Sequence, residues 1–232
     1  MPDDRYSRQT MLAEIGEDGQ RKLRAASVLI VGAGALGAAV ATYLTGAGVG
    51  RIGLADPDTV SLSNLQRQVL YTEAEVGLKK VDCARKRLSA QSGHTIFETF
   101  PEGVTEANAN ETAGRFDLIM DCTDNYPTRY LIDDTCAALG KPWIYGSIGE
   151  FTGQVAVMNH LRGRRYADLY DDREGLCGLP RTIRGVLGAV PGVVGAIQAA
   201  EALKLICGFG ELLDGRLFTI DLKTLKTDIF DF

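Results

Sequence analysis

Residues 28–37 of the chain read VLIVGAGALG, and this stretch decides the fold. Residues 28–31 form an unbroken apolar run, which is typical of a strand buried on both faces. Gly32, Gly34 and Gly37 follow with the spacing G-x-G-x-x-G, which permits a tight turn, close approach of the main chain to a phosphate, and close packing of the next helix. The stretch predicts a phosphate-binding turn at a helix N-terminus. Glycine-rich strand ends also arise from packing alone, so the motif needs support from the rest of the chain.

The composition bounds the class of protein. Of 232 residues, 45% are hydrophobic and 24% charged, which are ordinary globular values, and the length predicts one domain with a sizeable core. The formal charge of −5 disfavours a broad nucleic-acid surface. No transmembrane run is apparent and the N-terminus MPDDRYSRQ is polar, so we expect a cytoplasmic protein without a secretory signal or a membrane partner.

The five cysteines are far apart and form no C-x-x-C pair, so we do not expect a zinc site. We expect the cysteines to be reduced thiols. Most of these thiols are expected to be buried. Cys177, in the polar stretch EGLCGLP, is the one for which we expect exposure. His94 and His160 are too few and too separated to suggest a metal cluster.

Predicted strands and helices alternate along the first two thirds of the chain. The predicted elements are a helical region at 7–25 broken near Gly16, strands at 28–31, 51–55, 94–100, 116–122 and 142–148, and helices at 36–47, 78–91, 106–113 and 128–139. This alternation predicts an α/β fold with a doubly wound, mainly parallel Rossmann-like sheet. A long polar insertion at 57–72 stands where a simple dinucleotide-binding fold would turn directly into its next helix.

The pattern changes after residue 149. A strand at 153–159 precedes an aperiodic, charged stretch at 160–184, which predicts a mobile loop. A small-residue helix at 192–207 and closing strands at 216–222 and 227–232 predict an antiparallel C-terminal extension. We therefore expect a single domain, 1–232, with a nucleotide-binding core at 1–158, a mobile crossover loop at 159–184 and a C-terminal part at 185–232.

Three polar clusters follow successive predicted strands, whose carboxyl ends converge on one crevice in a doubly wound sheet. Asp56, with Asp58 nearby, lies about 20 residues beyond the glycines, where a carboxylate accepts hydrogen bonds from ribose hydroxyls. The second cluster contains cations and amides, and the third contains oxygen ligands suited to Mg²⁺. The members of the second cluster are Asn64, Arg67, Gln68 and Lys80, and those of the third are Asp121, Asp124 and Asn125.

Cations beside a carboxylate that can hold a metal favour a triphosphate site over a nicotinamide site. Each residue also has a structural interpretation. Arg67 could form a surface ion pair and Lys80 could be a solvated helix residue. Asp124 could be the N-cap of the helix that follows.

Six segments, in order, resemble the MoeB/ThiF/HesA family of bacterial adenylyltransferases, which are related to ubiquitin-activating enzymes. The segments are RYSRQ, GAGALG, DPDTVSLSNLQRQ, GLKK, DCTDN and GVVGAIQAAEALK, between about residues 5 and 222. The resemblance implies Mg²⁺- and ATP-dependent adenylation of the C-terminal glycine of a small ubiquitin-like sulfur carrier protein ending in Gly-Gly. Such carriers serve cofactor biosynthesis of the thiamine or molybdopterin type. It also implies a homodimer.

Matching the family's motifs residue by residue assigns roles. Arg67 and Lys80 would contact the phosphates, Asp124 would bind Mg²⁺, and Arg8 would reach the phosphates from the other subunit. The nucleotide site would comprise Gly32, Gly34, Ala35, Asp56, Ser63, Asn64, Leu65, Gln66, Arg67, Lys80, Asp124 and Asn125.

Three departures from the family pattern matter. Ala35 stands where the family usually has glycine, and we expect the turn to be kept. The two zinc-binding C-x-x-C pairs of many members are missing, so we expect packing to hold the closing strands. Arg181 stands where many members carry a cysteine, and Cys177, four residues earlier, could substitute for it only with an electropositive setting.

Two alternatives stay open. A catalytically silent carrier-binding module of the same fold would explain the missing zinc pairs and displaced cysteine. An NAD-dependent oxidoreductase would share the glycines and Asp56, but it leaves SNLQRQ, Lys80 and DCTDN unexplained and lacks an obvious proton-transfer histidine.

Overall fold

A computed structural model describes residues 4–180 and 185–232. Within these residues eight strands form one sheet, in the order β3-β2-β1-β4-β5-β6-β7-β8. The strands are β1 Ser27–Val31, β2 Arg51–Ala55, β3 Ile96–Phe100, β4 Leu118–Asp121, β5 Trp143–Gly149, β6 Thr152–Met158, β7 Arg216–Asp221 and β8 Lys226–Asp231. Strands β1 to β5 pair in parallel, whereas β5 to β8 pair antiparallel. The predicted mainly parallel sheet with an antiparallel C-terminal extension is confirmed.

The helices lie on both faces of the sheet. They are α1 Ser7–Thr10, α2 Gly16–Ala25, α3 Ala35–Ala47, α4 Lys80–Gln91, α5 Ala109–Gly114, α6 Tyr126–Leu139, α7 Tyr166–Leu169, α8 Arg173–Gly178 and α9 Ala189–Cys207. Side chains of β1 alternate between two hydrophobic cores: Val28 and Ile30 join the core under α3, α4 and α9, and Leu29 and Val31 join the core under α5 to α7. This alternation explains why β1 is apolar from Val28 to Val31, since both of its faces are covered.

Helix α9 fills the centre of one layer. By length and composition it could cross a membrane, but half of its apolar stretch is buried within the protein. It packs against α3 and against β5 and β6. Gly195 allows close packing, because a Cβ there would lie 2.7 Å from that of Ala39. We therefore interpret α9 as a core helix.

Two of the differences from prediction have a clear cause in side-chain contacts. Helix α5 begins three residues later than expected, because Asn108 closes a turn on the main chain of Thr105 and Gly103. The expected loop at 160–184 contains α7 and α8. Tyr166 of α7 is fully buried, and Arg165 bonds to Asp133 and Asp134 of α6. These contacts with α6 order a stretch that has no periodicity of its own.

Candidate active site

The strand order places the candidate site. The chain winds outward from β1 to β3, returns to β4 and winds the other way to β5, so a crevice opens at the carboxyl ends of β1 and β4. A cleft of about 360 Å³ occupies this crevice. It brings together eight of the twelve residues assigned above to the nucleotide site: Gly32, Gly34, Ala35, Asp56, Arg67, Lys80, Asp124 and Asn125. A more open depression of about 500 Å³ lies elsewhere, bordered by Arg162, Arg164, Asp231 and Phe232.

The three glycines of the turn differ in whether a side chain could replace the hydrogen of glycine. Gly32 has φ +96°, and a Cβ there would lie 2.5 Å from the carbonyl oxygen of Cys122. A Cβ on Gly37 would overlap the carbonyl oxygen of Gly32. Gly34 differs, because its Cβ would meet only Nε2 of Gln68, at 3.6 Å. The protein itself therefore requires Gly32 and Gly37, whereas Gly34 leaves space on the cleft side. Ala35 is the first residue of α3, and Gly34 is its N-cap.

Asp56 follows β2 directly and links the glycine turn to the loop after that strand. Its Oδ2 accepts a hydrogen bond from the main-chain N–H of Ala33 at 2.7 Å, and its Oδ1 accepts one from that of Asp58 at 2.8 Å. A carboxylate has about four lone-pair sites, so capacity remains for a ribose hydroxyl. Tyr71 supports the same turn, since its hydroxyl donates to the carbonyl of Ala33 at 2.6 Å. Tyr71 lies in the polar insertion, and no pattern in the sequence pointed to it.

Lys80 is the buried cation of the site. It is 4% exposed, and its Nζ lies 2.9 Å from Oδ2 of Asp58 and 4.0 Å from Oδ1 of Asp56. Burial raises the pKa of Asp56 above its ordinary value, although the charge of Lys80 lowers it. The interpretation of Lys80 as a solvated helix residue is therefore wrong. Its ammonium group is held at the cleft by two carboxylates, one of them exposed.

The polar residues of the loop after β4 have two roles: some stabilise the loop and others line the cleft. Asp121 is fully buried, and its oxygens bond to Thr123 at 2.6 and 2.9 Å and to Arg129 at 3.2 Å. Asp121 therefore points away from the cleft, contrary to its grouping with the metal ligands. Asp124 is exposed and lines the cleft. The N-cap of α6 is Asn125, which accepts a hydrogen bond from the main chain of Thr128 at 3.0 Å, so the alternative role of Asp124 as N-cap is wrong.

The C-terminal end of the segment 61–68 lies at the cleft. Arg67 and Gln68 line the cleft, whereas Ser63, Asn64, Leu65 and Gln66 lie in the adjoining turn, outside the lining. That turn is closed by hydrogen bonds between Ser61 and Asn64. The guanidinium of Arg67 donates to the carbonyl of Ser63 at 3.0 Å. Among the residues described, no ion pair of Arg67 with a carboxylate is found, which disfavours its interpretation as a surface ion pair.

Two predicted residues lie outside the cleft. Arg8 is an exposed residue of α1, and Cys177 is a half-buried residue of α8. Neither belongs to the cleft lining. Arg181 lies outside the described residues. Like Tyr71, residues 102–105 were missed in the sequence: they follow β3 and form one wall of the cleft. Their position at the end of a parallel strand was the available signal.

The charges favour an anion bearing several phosphates. Lys80, Arg67 and the N-terminus of α3 are positive, and all three face one cleft. In residues 4–180 and 185–232, no group of three or more His, Cys, Asp or Glu side chains is placed to hold a metal. Mg²⁺ does not need such a group, because it keeps several waters and binds through one or two carboxylates together with substrate phosphates. The exposed carboxylate of Asp124 fits this requirement.

Comparison with known proteins agrees with this geometry. Residues 6–232 match the ThiF family. The chain is 45% identical over 224 residues to a sulfur carrier protein adenylyltransferase of Thermus thermophilus, covering 94% of this chain and 83% of that protein. It is 46% identical to the adenylyltransferase and sulfurtransferase MOCS3 of Culex quinquefasciatus, of which it spans only 50%. It is 38% identical to a probable molybdopterin-synthase adenylyltransferase of Porphyra purpurea, of which it spans 60%.

Solved structures share the fold. The structure of E. coli MccB with ATP superposes with a TM-score of 0.86 at 21% identity, covering 99% of this chain and 71% of that one. The structure of PaaA superposes with a TM-score of 0.84 at 24% identity, covering 98% of this chain and 72% of that one. At these identities the likeness concerns the fold alone. With its strand order, its glycine turn and a family match over nearly the whole described length, the chain belongs to the ThiF family.

Proposed function

We propose that the protein adenylates the C-terminal glycine carboxylate of a small ubiquitin-like sulfur carrier protein, with ATP as the other substrate. The observation that carries the proposal is one cleft where a helix N-terminus, Lys80, Arg67 and the carboxylate of Asp124 converge. The Thermus thermophilus relative, of which the chain spans 83%, is named for this activity. The three relatives described above are all named adenylyltransferases, which disfavours the NAD-dependent alternative.

The reaction needs no nucleophile from the protein. An oxygen of the carrier's carboxylate attacks the α-phosphorus of ATP, and the bond from that phosphorus to the bridging oxygen of the β-phosphate breaks. Pyrophosphate leaves with the electron pair, and the carrier becomes an acyl-adenylate. The work of the protein is to position two anions and to offset their charge.

The residues of the cleft divide this work. In the proposal, Gly34 and the first N–H groups of α3 approach the phosphates, and Lys80 and Arg67 balance their charge. Asp56 accepts a hydrogen bond from a ribose hydroxyl. Asn125 adjoins the nucleotide, and residues 63–66 hold Arg67 in place. Asp124 would hold Mg²⁺, which supplies further neutralisation of phosphate charge when it is bound.

The proposed carrier ends in Gly-Gly and donates sulfur in cofactor biosynthesis of the thiamine or molybdopterin type. The protein acts in the cytoplasm as a homodimer, and Arg8 of one subunit reaches the phosphates bound by the other. Cys177 takes no part in the adenylation step.

Mass spectrometry of the carrier tests the proposal. The protein is incubated with ATP, Mg²⁺ and a candidate carrier ending in Gly-Gly, and separately with the same carrier lacking its last glycine. We expect an adenylate on the first carrier alone. A carrier that binds the protein but acquires no adenylate under any of these conditions would instead support a silent carrier-binding module.

A further inference from the structure

Gln68 has an unusual environment in the cleft wall. Its side chain is 5% exposed, and within the described residues its buried Oε1 has no hydrogen-bond partner. Its Nε2 lies 3.6 Å from the position that a Cβ on Gly34 would occupy. The amide therefore stands against the glycine turn with its nitrogen end towards Gly34.

This arrangement costs stability in the free protein. A buried polar atom without a partner is unfavourable by about 1–3 kcal/mol relative to a satisfied one. The main chain of Gln68 is fixed independently, because its N–H donates to Asn64 at 2.9 Å and its carbonyl accepts from Tyr71 at 3.2 Å. An apolar side chain of the same length would fill the site without the cost. The amide therefore has no role in folding that the structure explains.

The location indicates a ligand. Gly34 is the glycine that leaves space on the cleft side and precedes the first turn of α3, where a phosphate is stabilised by free N–H groups. The end of the Gln68 amide that faces Gly34 is its nitrogen, a hydrogen-bond donor, whereas its oxygen is the buried end. A neutral N–H donor beside this turn would contact the phosphate closest to α3.

We propose that Gln68 is a catalytic residue, whose Nε2–H donates a hydrogen bond to a non-bridging oxygen of the α-phosphate of the bound nucleotide. The proposal rests on the proposed function. As the carrier's carboxylate forms its bond to phosphorus and pyrophosphate departs, negative charge on that oxygen grows, and a donor already in place stabilises it. Gln68 neither gains nor loses a proton.

Substitution by methionine separates this role from packing, because Gln68→Met keeps the length of the side chain and removes its donors. The variant's unfolding temperature should be equal to or above that of the wild type, since an unpartnered polar atom is removed. Gln154→Met is the matched control. Gln154 is half-buried, and its amide oxygen accepts hydrogen bonds from the hydroxyls of Tyr145 and Tyr170 at 2.9 and 2.8 Å, so this variant should unfold at a lower temperature.

The decisive measurement compares binding of AMP with binding of adenosine, by calorimetry and without any carrier. We expect Gln68→Met to weaken AMP binding about 10-fold or more and to leave adenosine binding unchanged, because only AMP carries the α-phosphate. Carrier-dependent ATP–pyrophosphate exchange should fall about 10- to 100-fold in kcat/KM. Equal weakening of AMP and adenosine, or unchanged AMP binding, would overturn the role of Gln68. If AMP binding depends on Gln68 but no carrier supports exchange in the wild type, the assigned contact stands and the proposed function fails.

Discussion

At the scale of single residues, the site depends on the balance of charge around Lys80. Its ammonium group is almost fully buried, and the carboxylate 4.0 Å away, that of Asp56, is buried as well. A buried carboxylate that loses its counter-charge is strongly unfavourable. Lys80 therefore has two functions: it stabilises the folded protein and, in our proposal, the phosphates.

Lys80→Ala should lower the free energy of unfolding by about 3 kcal/mol near neutral pH. The neighbouring Lys79→Ala is a matched control, because Lys79 is exposed and its ammonium group donates to the carbonyl of Pro57 at 2.8 Å. Its effect should stay within about 0.5 kcal/mol. Urea denaturation of the three proteins measures the difference, and equal effects of the two substitutions would contradict this account of Lys80.

The same pair of variants gives a pH dependence with a definite sign. Burial raises the pKa of Asp56, so the folded state holds this proton more tightly than the unfolded state does. The stability contributed by the group is therefore present at low pH and is lost as pH rises through the folded pKa. Removing Lys80 raises this pKa further, so the deficit of Lys80→Ala should be smaller at about pH 5 than at about pH 7. A deficit that does not change with pH would exclude Asp56 as the group left unpaired.

The glycines and Asp56 were predictable from the sequence. A phosphate-binding turn after a buried strand requires glycines at the spacing of Gly32, Gly34 and Gly37, and Asp56 directly follows the next strand, about 20 residues later. The N-cap of α6 was not predictable, because Asp124 and Asn125 are both capping residues and only the first helical turn distinguishes them. Nothing in the sequence shows that the side-chain oxygen of Gln68 lacks a partner, since that depends on every neighbour at once.

At the scale of elements, α6 connects the loop after β4, which lines the cleft, with the segment 160–180. Its N-terminus follows Asp124, and its Asp133 and Asp134 hold the segment that contains α7 and α8. Arg165 and Arg173 supply the opposite charges. These ion pairs join positions about 30–40 residues apart, so local periodicity predicted a loop there and missed both short helices.

Cys177 on α8 should be the fastest thiol to react. Burial raises the pKa of Cys83, Cys122, Cys136 and Cys207, which keeps these thiols protonated and slow. Cys177 is the only half-buried cysteine of the five, all of which lie within the described residues. Titration of the native protein with a thiol reagent should therefore show one fast group, and Cys177→Ser should remove it.

The Cys177→Ser variant also tests the role of this thiol in catalysis. Because the carrier's carboxylate is the nucleophile of our proposed reaction, the variant should form carrier adenylate at the wild-type rate. Loss of adenylate formation in a variant that unfolds at the wild-type temperature would show that the thiol takes part in this step.

At the scale of the whole molecule, the order of the strands is what produces the cleft. The reversal between β1 and β4 and the parallel pairing were predictable, because buried apolar strands alternate with helices along the chain. The antiparallel extension was also predicted correctly, and apolar side chains of β7 such as Leu217 and Ile220 pack on the two cores. Whether zinc is absent and whether the protein is a dimer remain predictions.

Mixed dimers would test the contribution of Arg8 from a second subunit. Arg8→Ala and Arg67→Ala, each expected to be inactive, are co-expressed with different tags. If a site needs Arg67 of one subunit and Arg8 of the other, each mixed dimer has one intact site, and random pairing restores about a quarter of the sites. Recovery should appear in the doubly purified fraction, and its absence there would place both arginines in the same subunit's site or outside the reaction.

The most direct test of the central claim is carrier-dependent ATP–pyrophosphate exchange, measured on the wild type, on Arg67→Ala and on Arg21→Ala. Arg21 is an exposed residue of α2 paired with Asp18, so its substitution controls for loss of a surface charge. We predict exchange that requires both carrier and Mg²⁺, falls about 100-fold in Arg67→Ala and is unchanged in Arg21→Ala. An exchange rate of Arg67→Ala equal to that of the wild type would contradict the account. So would a wild-type protein that binds ATP but catalyses no exchange with any Gly-Gly carrier tried.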